Sequence, residues 1–161
     1  MYITYQKLKA LGACPTQRHQ FFFRFPFGAE VTVENCLKAL RTDLSLGWLV
    51  EAFVDSFPLL VTYSRARSRA WRVWRIAFLV AEEECRRNVT LLSKRYYDEV
   101  MLAGGMFSPA AEQAYRLTLR EFFERFVQCK IAAWDDYLYA CAEASYEAVT
   151  QQEALNLGVP K

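Results

Sequence analysis

Five arginines, Arg65, Arg67, Arg69, Arg72 and Arg75, are interleaved with Trp71 and Trp74, and no acidic residue falls between Asp55 and Glu82. Arg65, Arg69 and Arg72 recur at helical spacing, so they share one helix face. Guanidinium groups in that pattern suit phosphates or an acidic partner. The competing reading is internal neutralisation. Residues 1–81 carry eleven basic and five acidic side chains, whereas residues 82–161 carry nine basic and thirteen acidic ones. If the second half folds back on the first, Asp136, Glu143 and Glu147 can neutralise the arginines, as charges flanking a coiled-coil seam do. Neutralisation is the preferred expectation, with nucleic acid as the alternative partner of the stripe.

Catalytic chemistry has little to work with. His19 is the sole histidine, so any Ser-His-Asp or Cys-His pair would have to use it. Glu82-Glu83-Glu84 and Asp135-Asp136 are adjacent on helical segments and point apart, which prevents them from sharing one proton. No phosphate-cradling glycine loop or GxGxxG pattern is present. Cys14, Cys36, Cys85, Cys129 and Cys141 are odd in number and lack paired spacing, which fits free thiols in a reducing compartment. Cys85 and Cys129 fall on apolar stripes and read as small hydrophobes. The expectation is no enzyme, no metal site and no cofactor.

The elements that carry these residues read as helices throughout. Thr4, Thr32 and either Asp43 or Ser45 are natural helix caps, and Pro15 can open a helix that Pro26 closes. Phe27–Val31 reads as a turn or short extended piece, and Phe57-Pro58 as the end of a fourth helix. From about Ser64 the chain lacks Gly and Pro until Gly104-Gly105, and after Pro109 it lacks both until Gly158. Two long helices result, each about 55–65 Å at 1.5 Å per residue. The expected fold is therefore all-α: a small N-terminal multi-helix head over residues 1–60, then a long antiparallel, coiled-coil-like hairpin over 61–161. Its turn is expected at 103–108, and the whole folds as one cooperative unit.

The apolar spacing sets a register for that hairpin. Trp71, Trp74, Phe78, Cys85, Leu92 and Tyr96 form one stripe, and Tyr115, Leu119, Phe126, Ala133, Tyr137 and Ala140 form another. Antiparallel partners must share a constant sum of residue numbers. Tyr96 with Tyr115, Phe78 with Ala133, Trp74 with Tyr137 and Trp71 with Ala140 all obey it. A second apolar face remains, with Phe123, Val127, Ile131, Trp134 and Leu138 on one helix and Val73, Ile76 and Val80 on the other. Two helices alone cannot bury both faces, so self-association or a protein partner is expected. The candidate partner-binding residues are Arg65, Arg69, Arg72, Arg75, Phe123, Val127, Trp134 and Leu138. A membrane partner is not expected, because Glu51 and Asp55 interrupt the stretch from Leu44 to Leu60.

The segment Leu8-Lys-Ala-Leu-Gly12-Ala-Cys14-Pro-Thr-Gln17, the following Phe-rich run, and Phe25-Pro26-Phe-Gly28-Ala-Glu-Val31-Thr32-Val-Glu34 together resemble a module of small bacteriophage and prophage proteins, LxxxGACxxQ…FPxGxxVTxE. Ala144-Ser-Tyr146-Glu147-Ala148 echoes the Ala-Tyr-Glu-Ala units of the same proteins. Within the module, Phe21, Phe22, Phe23, Phe25 and Phe27 are expected to supply aromatic burial. The family is mostly without assigned activity. The resemblance implies a non-enzymatic phage or mobile-element accessory protein in the cytoplasm of a bacterial host. Its partner would be a host protein or ribonucleoprotein complex, and an anti-CRISPR inhibitor of host defence is the concrete version.

Overall fold

The computed structural model describes residues 1–106 and 108–158. Phe107, inside the expected turn, and residues 159–161 lie outside the described residues. The elements run β1 (Tyr2–Ile3), α1 (Tyr5–Ala10), α2 (Pro15–Arg24), β2 (Ala29–Glu30), α3 (Val33–Leu40), α4 (Leu46–Phe53), α5 (Phe57–Leu102) and α6 (Pro109–Asn156). The fold is all-α apart from the two-residue strands, and its long helices pack as an antiparallel hairpin.

The short helices start where local chemistry dictates. The hydroxyls of Thr4, Thr32 and Ser45 accept the backbone N–H of Lys7, Asn35 and Trp48 at 3.2, 3.1 and 3.3 Å. Each satisfies an N–H that the helix itself leaves without an acceptor. Ser45, rather than Asp43, is the cap of α4. Pro58 does not end α4; it lies in the first turn of α5. Proline is tolerated there because first-turn N–H groups have no intrahelical acceptor to lose. The piece at 29–30 pairs with β1 in antiparallel register, Tyr2 opposite Glu30 and Ile3 opposite Ala29. Gly28 makes that approach: its φ is +93°, and a Cβ would stand 2.7 Å from the Ile3 carbonyl oxygen.

The chain divides into two compact units, Met1–Arg72 with Asp136–Lys161, and Val73–Asp135. The first holds the principal core. Val50, Val54 and Val149 are at most 2% exposed, and Ala142 is fully covered. Ala142, Ala144, Ser145 and Ala148 keep this part of α6 slim, so other elements can approach its backbone. Ser145 is satisfied locally, donating to the Cys141 carbonyl at 2.8 Å. Gln152 is also buried: its Oε1 accepts the Ser56 N–H at 3.0 Å and its Nε2 donates to Asn156 Oδ1 at 2.9 Å. Gln17 Oε1 likewise accepts the Ser45 N–H at 2.9 Å, tying α2 to the start of α4.

The second unit is a two-helix hairpin, and among its described residues Val100 alone is buried. Tyr96 stacks on Tyr115 at 4.7 Å between ring centroids, as the constant-sum register requires. Farther from the turn, rings also reach across to neighbouring layers. Trp74 meets Trp134 at 5.6 Å, and Phe78 meets Phe126 at 6.2 Å. In the first unit, Trp71 meets Tyr137 at 5.9 Å. The register rule treats every layer as flat and every side chain as equally long. Aromatic rings seeking edge-to-face partners lean across a turn or more of helix.

Two outcomes follow for stability and reactivity. Gln152→Ala leaves the partly buried Ser56 N–H without its side-chain acceptor, and chemical denaturation should register a loss of roughly 1–3 kcal/mol. Unchanged stability would show that water replaces the side chain. Thiol titration of the native protein should label Cys14 and Cys129, which are exposed, well before Cys36 and Cys141, which are buried. Burial pushes the Cys36 thiol up to about 11, so its reactive thiolate is absent near neutral pH.

Candidate binding surfaces

The arginine stripe lies on α5 in a segment without a neighbouring carboxylate on the same helix. Arg65, Arg69 and Arg72 belong to the first unit and Arg75 to the second, and all four are exposed. Asp136, Glu143 and Glu147 are exposed as well. Among the described residues, none of these groups forms an ion pair within 4.0 Å across the helices. Ion pairs formed elsewhere include local ones, such as Arg86–Glu83 and Arg116–Glu112, and one that joins the Met1 ammonium to Glu153 at 2.9 Å. The expected neutralisation of the stripe is therefore not made. Exposed pairs contribute little and leave these long side chains free to sample solvent.

Arg67 behaves differently from its neighbours. Gly47 of α4 lies beneath its guanidinium, so close that a Cβ there would come within 3.0 Å of Nη1 and 3.8 Å of the Tyr63 hydroxyl. Burial lowers the Arg67 pKa, but the Tyr63 and Tyr137 phenols outweigh it and leave the net shift upward. Tyr63 itself is buried, and burial pushes its phenol up. The same unit opens here into a groove of about 770 Å³, lined by Ser64, Arg67, Ser68, Trp71, Arg72 and Tyr137 among others. Spacing alone groups the other arginines on one face; nothing in it announces that Arg67 is the one held in place. The signal lies in Gly47, a helical glycine whose absent side chain makes room.

The hairpin unit presents its apolar rows to solvent. Phe123, Val127 and Trp134 are 49, 48 and 44% exposed, and Val73, Ile76 and Val80 are about 60% exposed. Leu138, grouped with them by spacing, departs from that expectation. It is only 6% exposed, because it lies in the first unit, where α6 is largely covered, and it is not accessible to a partner. Lys130 lays its ammonium over Phe78 and Phe126, 5.0 and 5.3 Å from the ring centres, which shields part of the seam.

The phenylalanines of the head split into two sets. Phe21 and Phe25 are buried and touch each other at 5.2 Å. Phe22 is 49% exposed, Phe23 84% and Phe27 90%, contrary to the expectation that all five are buried. One turn separates Phe21 from Phe25, so they share a face; the helix turns Phe22 and Phe23 away from it. His19 is exposed and lines a shallow cleft with Tyr5, Phe22 and Phe27.

Within the core, Leu8, Phe21, Cys36 and Trp48 line an apolar void of about 50 Å³. Among the described residues, no group of three or more His, Cys, Asp or Glu side chains is placed to hold a metal ion. No described helix is long and apolar enough to cross a membrane. Comparison with known proteins finds no matching family model, no similar curated protein and no similar solved structure.

Proposed function

We propose that this chain is a non-enzymatic binding protein whose hairpin docks a protein partner or a second copy of itself. The observation that carries the reading is a unit spanning Val73–Asp135 in which Val100 alone of the described residues is buried, while its apolar rows stand about half exposed. Contiguous exposed apolar surface of this kind marks interaction sites on soluble proteins. Aromatic side chains dominate the energetics of such interfaces, and Phe123 and Trp134 supply them here. The likeness of Leu8–Glu34 to the phage module supports a place among phage or mobile-element accessory proteins acting in the bacterial cytoplasm. An inhibitor of host defence of the anti-CRISPR type, bound to a host protein or ribonucleoprotein, is the concrete form.

Light scattering at tens of micromolar, a range that detects micromolar self-affinity, should find a dimer or larger species. Phe123→Ser with Ile131→Ser should return it to monomer and abolish capture of the partner from bacterial lysate. A wild-type monomer that captures nothing would overturn the proposal.

A second reading, nucleic-acid binding by the basic stripe, is favoured by the lack of ion pairs to Arg65, Arg69 and Arg72 among the described residues. Changing all three to Gln should leave stability within about 0.5 kcal/mol, as for surface changes generally. On this reading, the triple change also removes a salt-sensitive gel shift with short nucleic acids, since each phosphate contact releases counterions. No shift by the wild-type protein at physiological salt dismisses it.

A further inference from the structure

We propose that the groove formed by Ser64, Arg67, Trp71 and Arg72 of α5 and Tyr137 of α6 holds a nucleoside 5′-monophosphate group, either free or at the end of a single strand. No residue of the hairpin rows lines this groove, and neither Arg65 nor Arg69 does. The inference therefore stands apart from the protein-docking reading and shares Arg72 alone of the three tested arginines with the stripe-binding one.

Its size comes first. At about 770 Å³ the groove falls within the roughly 300–1,000 Å³ typical of small-molecule sites. Its chemistry comes next. Arg67 and Arg72 bring two fixed positive charges with planar donor forks, and such forks match phosphate oxygens. Arg67 is held over Gly47 beside Tyr63 and Tyr137, so part of its ordering is complete before a ligand arrives. Arg72 spends its Nε on the Ser68 carbonyl at 3.4 Å, which leaves its terminal amino groups pointing elsewhere. Ser64 and Ser68 add hydroxyl donors to the lining.

The remaining lining suits a base. Trp71 is 44% exposed and set edge-to-face with Tyr137, so part of an indole reaches solvent in the lining that also holds the two guanidinium groups. Base-on-indole stacking is favourable and tolerant of sequence. Glu51 also lines the groove and forms no ion pair with Arg67 or Arg72 among the described residues. Its carboxylate can only accept, which fits the N–H edge of a guanine. A bare anion would leave Trp71 and Glu51 without a role, and an uncharged aromatic would leave both arginines without one.

Calorimetric titration of the full chain with GMP, guanosine, inorganic phosphate and a 5′-phosphorylated trinucleotide tests this. GMP should bind saturably with a Kd at or below about 1 mM, and guanosine and phosphate at least about tenfold more weakly. Arg72→Gln should weaken GMP about tenfold with an unchanged melting temperature, because the side chain is exposed. Gly47→Ala is the second variant: alanine favours the helix, so the fold survives, yet its Cβ displaces the Arg67 guanidinium and should weaken GMP several-fold. Trp71→Leu should bring GMP down to the level of phosphate. A trinucleotide that binds as tightly as GMP assigns the site to a strand end; a weaker one assigns it to the free nucleotide. Absence of saturable binding by both, or GMP binding indifferent to Arg72→Gln and Gly47→Ala, overturns the proposal.

Discussion

The slim face of α6 between Ala142 and Val149 is the constraint on which the rest of the fold depends. The four short helices of the N-terminal region are too small to enclose a core by themselves, since helices of six to ten residues present only two turns or so of apolar surface. Ala142, Ala144, Ala148 and Val149 join Leu8, Phe21, Val50 and Val54 in one buried cluster. Small side chains are what the position requires, because each added methylene in a close-packed interior forces strain on its neighbours. Gln152 then ties the start of α5 to the same helix through the Ser56 N–H. The placement of Arg67 over Gly47 rests on α4 being pinned by that core.

The hairpin unit obeys a different economy. Its seam is largely aromatic: Trp74, Phe78, Tyr96, Tyr115 and Phe126 make paired ring contacts that fix direction and proximity without sealing the interior from water. A pair of helices has no third side from which to exclude solvent, so even seam residues stay partly exposed. Local ion pairs such as Arg86–Glu83 and Arg120–Glu124 lie along single helices and contribute little to joining them. The same segment is thus able to hold its shape and still offer apolar surface to something else.

Much of this was legible in the residues, where the signal is local. Thr4 and Thr32 cap helices because a hydroxyl at that position answers a specific backbone N–H, and Gly104-Gly105 breaks the long helical run as glycine pairs do. Pro58 was misleading because a proline between two abutting helices is equally compatible with ending one and beginning the next. The five phenylalanines of the head were misleading because composition counts rings, whereas burial follows the angle at which each leaves the helix. Leu138 shares spacing with Phe123 and Trp134 and yet is buried, since spacing identifies a face but not which stretch of it is covered. Arg67 could be singled out only once Gly47, twenty positions away, was seen beneath it.

The ammonium of Met1 meets Glu153, and the core of the first unit draws on residues from Ile3 to Val149. Residues made far apart in time must therefore meet to close this core. The ribosome makes the short helices before the helix that completes their core, which follows the entire hairpin. Until then Phe21, Val50 and Val54 have nothing to close over them, and the nascent head is a sticky, incomplete object. Sequence-distant contacts of this kind slow folding, because a long loop must close before they reward the chain. The intervening hairpin, built from near-neighbour contacts across one turn, shortens that loop once it has formed.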